Sequence, residues 1–220
     1  MRLVVFTLLF LGGTLWNTVL SQVERNMDSP CKIIRYITDI RNVDEDVKEI
    51  SVNMLFQINE SGESGNFRYM VPDAEKVLVT NYSVRIFDGN GELIYKNKRR
   101  KVALNELQSF NPRAAVSKYL DHPKPLNIEW DYKLVVYSPK GVFEWPSISG
   151  TYNLIDEASL RLSYENSEDF EFTTNIEVSS DKDLTLGNYY YLWSIKKLTK
   201  SSGEFNGMNV TSPYVRFVFN

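Results

Sequence analysis

Residues 126–146 read Leu-Asn-Ile-Glu-Trp-Asp-Tyr-Lys-Leu-Val-Val-Tyr-Ser-Pro-Lys-Gly-Val-Phe-Glu-Trp-Pro. The stretch has the form of a strand, a tight turn and a second strand, with Trp130 and Trp145 on its two arms. In the Ser138–Gly141 turn, Pro139 presets one φ angle and Gly141 supplies a permissive one. A hairpin of this kind predicts the centre of an all-β domain. Adjacent strand residues face opposite sides, so Glu129 points away from Trp130 and Glu144 away from Trp145. A glycosidase site needs two carboxylates facing one pocket, and this spacing argues against one built on the Trp–Glu pairs.

The chain on either side repeats the pattern. Ile50, Val52, Met54, Phe56 and Ile58 alternate with Ser51, Asn53, Leu55 and Gln57, a period of two with one buried face and one mostly wet face. A polar, Gly-rich run over 59–65 then turns, and Asn66–Val71 is expected to return as the second arm of a hairpin. Lys76–Asp88 is the next strand, Asp88-Gly89-Asn90-Gly91 a hairpin turn, and Glu92–Lys98 the return. The return runs into Arg99-Arg100-Lys101, read as a solvated edge that discourages sheet-to-sheet pairing rather than as a partner patch. Residues 103–125 break the pattern, with a short helix expected over Ala114–Leu120 after Pro112, stopped by Pro123 and Pro125. Ser147–Ile155 is a polar connector. Alternation resumes at Leu160, Leu162 and Tyr164, at Phe170, Phe172 and Thr174, at Tyr189, Tyr191, Trp193 and Ile195, and at Val215, Phe217 and Phe219. Many short strands separated by turns predict an all-β fold, a β-sandwich of mostly antiparallel strands with at most one short helix.

The N-terminus has the form of a targeting segment. Arg2 precedes an apolar run from Leu3 to Leu11, and Val19-Leu20-Ser21 suits cleavage before Gln22. The expected organisation is a signal peptide over 1–21, an N-terminal lead over 22–34 and the sandwich over 35–220, with a periplasmic or secreted location. Gly12-Gly13 and Asn17 interrupt the apolar run, and no later stretch suits a bilayer span, so an integral membrane protein is not expected. Without residues 1–21 the chain carries 24 basic and 28 acidic residues, a net charge of −4. That balance argues against a nucleic-acid partner. A single cysteine, Cys31, allows no internal disulfide, so a packed core has to hold the exported fold.

Catalytic motifs are missing. Cys31 and His122 are each the sole residue of their kind, one in the lead and one in the Pro-flanked loop, which is a poor start for a thiol–imidazole dyad. No His or Cys spacing suits a metal, no Gly loop suits a phosphate, and neither G-x-S-x-G nor H-E-x-x-H occurs. No catalytic residue, cofactor or metal is therefore expected. Trp130, Trp145, Tyr189, Tyr191 and Trp193 fit a core better than a ligand platform, whereas Tyr190 points the other way. Tyr190, with Arg113, Lys118 and His122 of the 105–125 loop, makes up the set of candidate binding residues. Sequons at Asn59, Asn81 and Asn209 matter only in a host that glycosylates exported proteins.

Several segments carry a family resemblance in the right order. They are Asn81–Lys96 (Asn-Tyr-Ser-Val-Arg-Ile-Phe-Asp-Gly-Asn-Gly-Glu-Leu-Ile-Tyr-Lys), the aromatic strand Trp130–Tyr137, Gly141–Pro146, Ile155–Leu162, Tyr191–Ile195 and Ser212–Phe217. Over residues 35–219 the chain resembles domain of unknown function 3857, the N-terminal β-domain of secreted transglutaminase-like proteins common in Bacteroidetes. The family's Pro-Gln connector is replaced here by Ser147-Ile148-Ser149-Gly150. The resemblance implies a β-sandwich that supports or positions a papain-like transglutaminase domain, which would follow where this sequence stops. No catalytic residue carries over, and Cys31 does not match the family's nucleophile. The expected function is an exported, non-enzymatic binding or scaffolding module that meets a protein, peptide or glycan in the cell envelope. The alternatives are a free-standing carbohydrate-binding module and the N-terminal fragment of a transglutaminase-like enzyme.

Overall fold

The computed structural model describes residues 31–59, 67–69, 71–146, 148–150, 154–164, 171–182, 189–199 and 214–218. The expected signal peptide, the lead up to residue 30, the turn over 60–66 and the sequon at Asn209 lie outside them. Strands dominate, in the order β1 (Cys31–Asp44), β2 (Val47–Ile58), β3 (Phe67–Tyr69), β4 (Asp73–Phe87), β5 (Leu93–Val102), β6 (Leu126–Lys140), β7 (Val142–Trp145), β8 (Ile148–Gly150), β9 (Leu154–Tyr164), β10 (Glu171–Thr174), β11 (Val178–Lys182), β12 (Tyr189–Thr199) and β13 (Val215–Val218). Among the described residues helix is confined to the segment between β5 and β6, as α1 (Leu104–Gln108) and α2 (Pro112–Val116), the latter running into a 3-10 turn over Ser117–Tyr119. The Asn111 side chain accepts from the backbone N–H of Arg113 and Ala114, and Pro112 occupies the first turn, which starts α2 where the sequence places a helix.

The fold is an all-β sandwich. An eight-stranded sheet has the order β11-β12-β9-β1-β2-β6-β4-β5, and a three-stranded sheet the order β10-β13-β7. β3 and β8 form a separate two-stranded ribbon. In the large sheet every pair is antiparallel except β1 with β9.

The alternation read at 50–58 sets the layering. Ile50, Val52, Met54, Phe56 and Ile58 are buried, and register continues the apolar face through Leu134, Tyr132, Trp130, Ile128 and Leu126 of β6. On the other side it continues through Tyr36, Thr38 and Ile40 of β1 to Ala158, Leu160 and Leu162 of β9. The small sheet covers one half of this face. There Trp145 of β7 lies 5.9 Å from Tyr36, and Phe217 of β13 lies 5.7 Å from Trp193 of β12, ring centre to ring centre. The ribbon and the helical segment cover the other half, where Tyr69 of β3 sits 5.1 Å from Tyr132 and Phe110 sits 4.3 Å from Trp130.

Two expected hairpins do not form, for one reason. β6 is flanked by β2 and β4 along its length, so no free edge remains for the next strand. The 126–146 stretch therefore crosses layers: Gly141, at φ +77°, turns the chain out of the large sheet, and β7 pairs with β13, placing Trp145 opposite Val215. β2 is likewise flanked by β1 and β6, so the segment after it, β3, pairs with β8 instead. The β4–β5 hairpin forms as expected. Its turn is held by the Asp88 carboxylate, which accepts from the N–H groups of Asn90 and Glu92, both at 2.9 Å.

Candidate functional site

The second face of the eight-stranded sheet faces neither the small sheet nor the helices. Period-two alternation gives it the residues that the apolar face excludes, and register arranges them in rows across the strands. One row runs Arg161, Asp39, Ser51, Lys133, Thr80, and the next Ser159, Ile37, Asn53, Asp131, Ser83. A third runs Glu157, Arg35, Leu55, Glu129, Arg85. Acids and bases alternate, and most are satisfied laterally. Lys133 pairs with Glu49 at 2.9 Å, and Arg41 pairs with the same carboxylate. Arg85 bridges Glu129 at 2.5 Å and Asp131 at 3.5 Å. Arg35 donates to the Asn53 side-chain oxygen at 3.0 Å, and the Asn53 amide donates in turn to Asp131.

Small side chains in the middle of these rows leave an open concavity of about 260 Å³, bordered by Ile37, Asp39, Ser51, Asn53, Asn81, Asp131 and Lys133. Asn81 reaches it from an irregularity in the β4–β6 register between Thr80 and Ser83, where its own φ is +53°. Asn tolerates that left-handed backbone better than most residues. Asp39 differs from its neighbours. Among the described residues no hydrogen bond or ion pair reaches its carboxylate, and Arg161 and Arg41 act on it only at longer range. Lost hydration against the sheet raises the Asp39 carboxyl above its ordinary range, and the two guanidinium groups pull it back without cancelling the effect. Arg161 itself lies over the Tyr190 ring at 4.3 Å.

The arrangement suits recognition of a polar ligand by hydrogen bonds and charge. With Cys31 buried at 2% exposure in the apolar core and His122 exposed on the loop before β6, the face carries neither thiol nor imidazole. Among the described residues no group of three or more His, Cys, Asp or Glu side chains is placed to hold a metal ion, and no helix is long and apolar enough to cross a membrane.

Of the residues singled out from sequence, Tyr190 stands on this open face. Arg113 lies in α2, Lys118 in the 3-10 turn and His122 just beyond it, 6.0 Å from the Tyr119 ring. That segment packs through Leu107, Phe110 and Val116 onto the covered face, so the fold separates these three from Tyr190. Trp130, Trp145 and Trp193 are all fully buried, which removes the large rings that a carbohydrate platform would use. Nothing in the linear sequence groups Asp39, Asn53, Asp131 and Lys133 into one site. Their signal was the wet phase of each alternation, which points to a face but does not say which strands lie side by side.

No protein-family model matches the chain, and no curated protein matches it. Among solved structures, the chain is similar to a proposed protease from Parabacteroides distasonis, with a TM-score of 0.53 and 11% identity over 86% of this chain. The chain spans 40% of the length of that protein, and at such identity the likeness is one of fold alone. Legionella pneumophila aminopeptidase A aligns over 87% of this chain and 21% of its own, with 13% identity and a TM-score of 0.39, too low to establish a common fold.

Proposed function

We propose that the chain is an exported, non-catalytic β-sandwich module that binds a peptide, protein or glycan of the cell envelope through the open face of its large sheet. It would do so in association with a transglutaminase-like protein of the kind its sequence resembles. The observation that carries this reading is the concavity around Asp39. Asp131 and Lys133, which border the cavity, have lateral charged partners, yet the Asp39 carboxylate borders it with no direct partner among the described residues, which leaves it available to an incoming donor. The aromatic residues support the same reading from the other side, because the Trp side chains of the described residues are spent on the core.

The experiment is a pair of activity assays on the purified chain, peptide hydrolysis and ammonia release from glutamine peptides. Both are expected to stay at the level of buffer. Turnover that disappears in the Cys31→Ala, His122→Ala double variant would contradict the reading and favour an enzyme.

A further inference from the structure

β5 closes one end of the eight-stranded sheet and, among the described residues, pairs only with β4. Its ten residues are Leu-Ile-Tyr-Lys-Asn-Lys-Arg-Arg-Lys-Val. In an antiparallel pair, half of a strand's N–H and C=O groups aim at the partner and the other half aim outward. No strand among the described residues covers that outer side of β5.

Register sorts the side chains. Tyr95, Asn97 and Arg99 stand opposite Ile86, Val84 and Tyr82, on the covered face. Lys96, Lys98 and Lys101 stand opposite Arg85, Ser83 and Thr80, on the open face. Arg99 is committed, since it pairs with Glu106 of α1 and lies over the Tyr82 ring at 5.4 Å. Lys96, Lys98, Arg100 and Lys101 are exposed and make no ion pair among the described residues. The side chain facing Lys96 across the pair, Arg85, is another cation, already bound to Glu129 and Asp131. The edge thus holds positive charge in excess beside a row of open backbone groups.

Edge lysines discourage a second copy from pairing, because two such strands side by side would oppose like charges. The same charges favour an acidic strand. We propose that β5 is a docking edge for an extended acidic segment of a partner protein, which adds to the sheet as a ninth strand. The pleat dictates the partner's pattern. Acidic residues at alternate positions meet Lys96 and Lys98 on the open face, and apolar residues between them meet Tyr95, a ring 36% exposed on the covered face. The β5 edge is a different surface from the central cavity, and docking there does not depend on what the cavity binds.

The test uses the purified chain and three fluorescent ten-residue peptides. One alternates Glu with Val and Thr, one has the same composition with its Glu residues in a single block, and one is the alternating peptide N-methylated at every second amide. The alternating peptide is expected to bind saturably, the block peptide roughly tenfold more weakly and the N-methylated peptide not detectably. Lys96→Glu with Lys98→Glu is expected to abolish binding while leaving the thermal melt unchanged, as both side chains are exposed. In the unsubstituted protein, amide exchange in β5 is expected to slow when the alternating peptide is present. Equal binding of all three peptides, or no saturable binding of the alternating peptide at millimolar concentration, would overturn the proposal.

Discussion

The indole N–H of Trp145 donates to the Thr38 hydroxyl at 3.2 Å, and both side chains are fully buried. Trp145 belongs to the small sheet and Thr38 to the large one, so this bond joins the two layers through the core. Thr38→Val keeps the shape and removes the acceptor, stranding a buried donor. It is expected to cost about 1–3 kcal/mol in chemical denaturation, whereas Thr38→Ser retains the acceptor and costs less.

Trp130 fills the other half of the core. Its ring meets Phe110 at 4.3 Å, Tyr132 at 4.8 Å and Phe56 at 6.3 Å, which ties the helical segment to the sheet. Trp130→Ala is expected to destabilise the fold by about 3–5 kcal/mol, and Trp130→Phe by less. Proteolysis of the 104–122 segment should accelerate in the alanine variant, because Phe110 loses its anchor.

Gly89 tests the packing of the β4–β5 turn. Its N–H donates to the Pro123 carbonyl at 2.7 Å, and a Cβ on it would lie 2.3 Å from the Lys124 carbonyl oxygen. Gly91 has open space around it but holds φ at +83°. Gly89→Ala is therefore expected to displace the loop before β6 and to cost more than Gly91→Ala, whose cost is about 1 kcal/mol of backbone strain. Denaturant midpoints of the two variants check the order.

Alkaline stability follows from a buried phenol. Burial first, and the Glu106 carboxylate second, push Tyr82 up to about 12 from its ordinary 10. The unfolded chain loses that proton near its ordinary value while the folded chain keeps it. The stability it represents is full below pH 10 and is lost as pH rises from 10 towards 12. Tyr82→Phe should flatten that fall in a melt series over this range.

Asp39 carries the same sign at the acid end of the scale. A carboxyl raised by lost hydration holds its proton in the folded state at a pH where the unfolded chain has released it, so stability falls as pH rises through the lower acid range. Asp39→Asn does not titrate. The variant is expected to melt like the parent at the lowest pH and slightly above it at neutral pH.

Local chemistry was legible in the sequence, the β4–β5 hairpin included, and pairing between distant strands was not. The alternation at 50–58, the Asp88–Gly91 turn and the start of α2 after Asn111 and Pro112 were readable because each depends on residues within a few positions. The separation of Glu129 from Trp130 follows from the pleat alone. The failed hairpins at 59–71 and 126–146 depend instead on which edges of β2 and β6 are already occupied, a property of distant strands. The same limit hid the composition of the open face. Asp39, Ser51 and Lys133 lie far apart in sequence and become a row only when β1, β2 and β6 lie side by side.

The central claim is that the open sheet face, and not the 105–125 loop, meets the ligand. Amide chemical-shift mapping of the labelled chain, titrated with a short zwitterionic peptide and with a neutral oligosaccharide, tests it most directly. The expected result is that one of the two probes moves the amides of Asp39, Ser51, Asn53, Asp131 and Lys133 together, and that Asp39→Asn weakens the response. Shifts confined to Arg113, Lys118 and His122, with the sheet face silent, would contradict it.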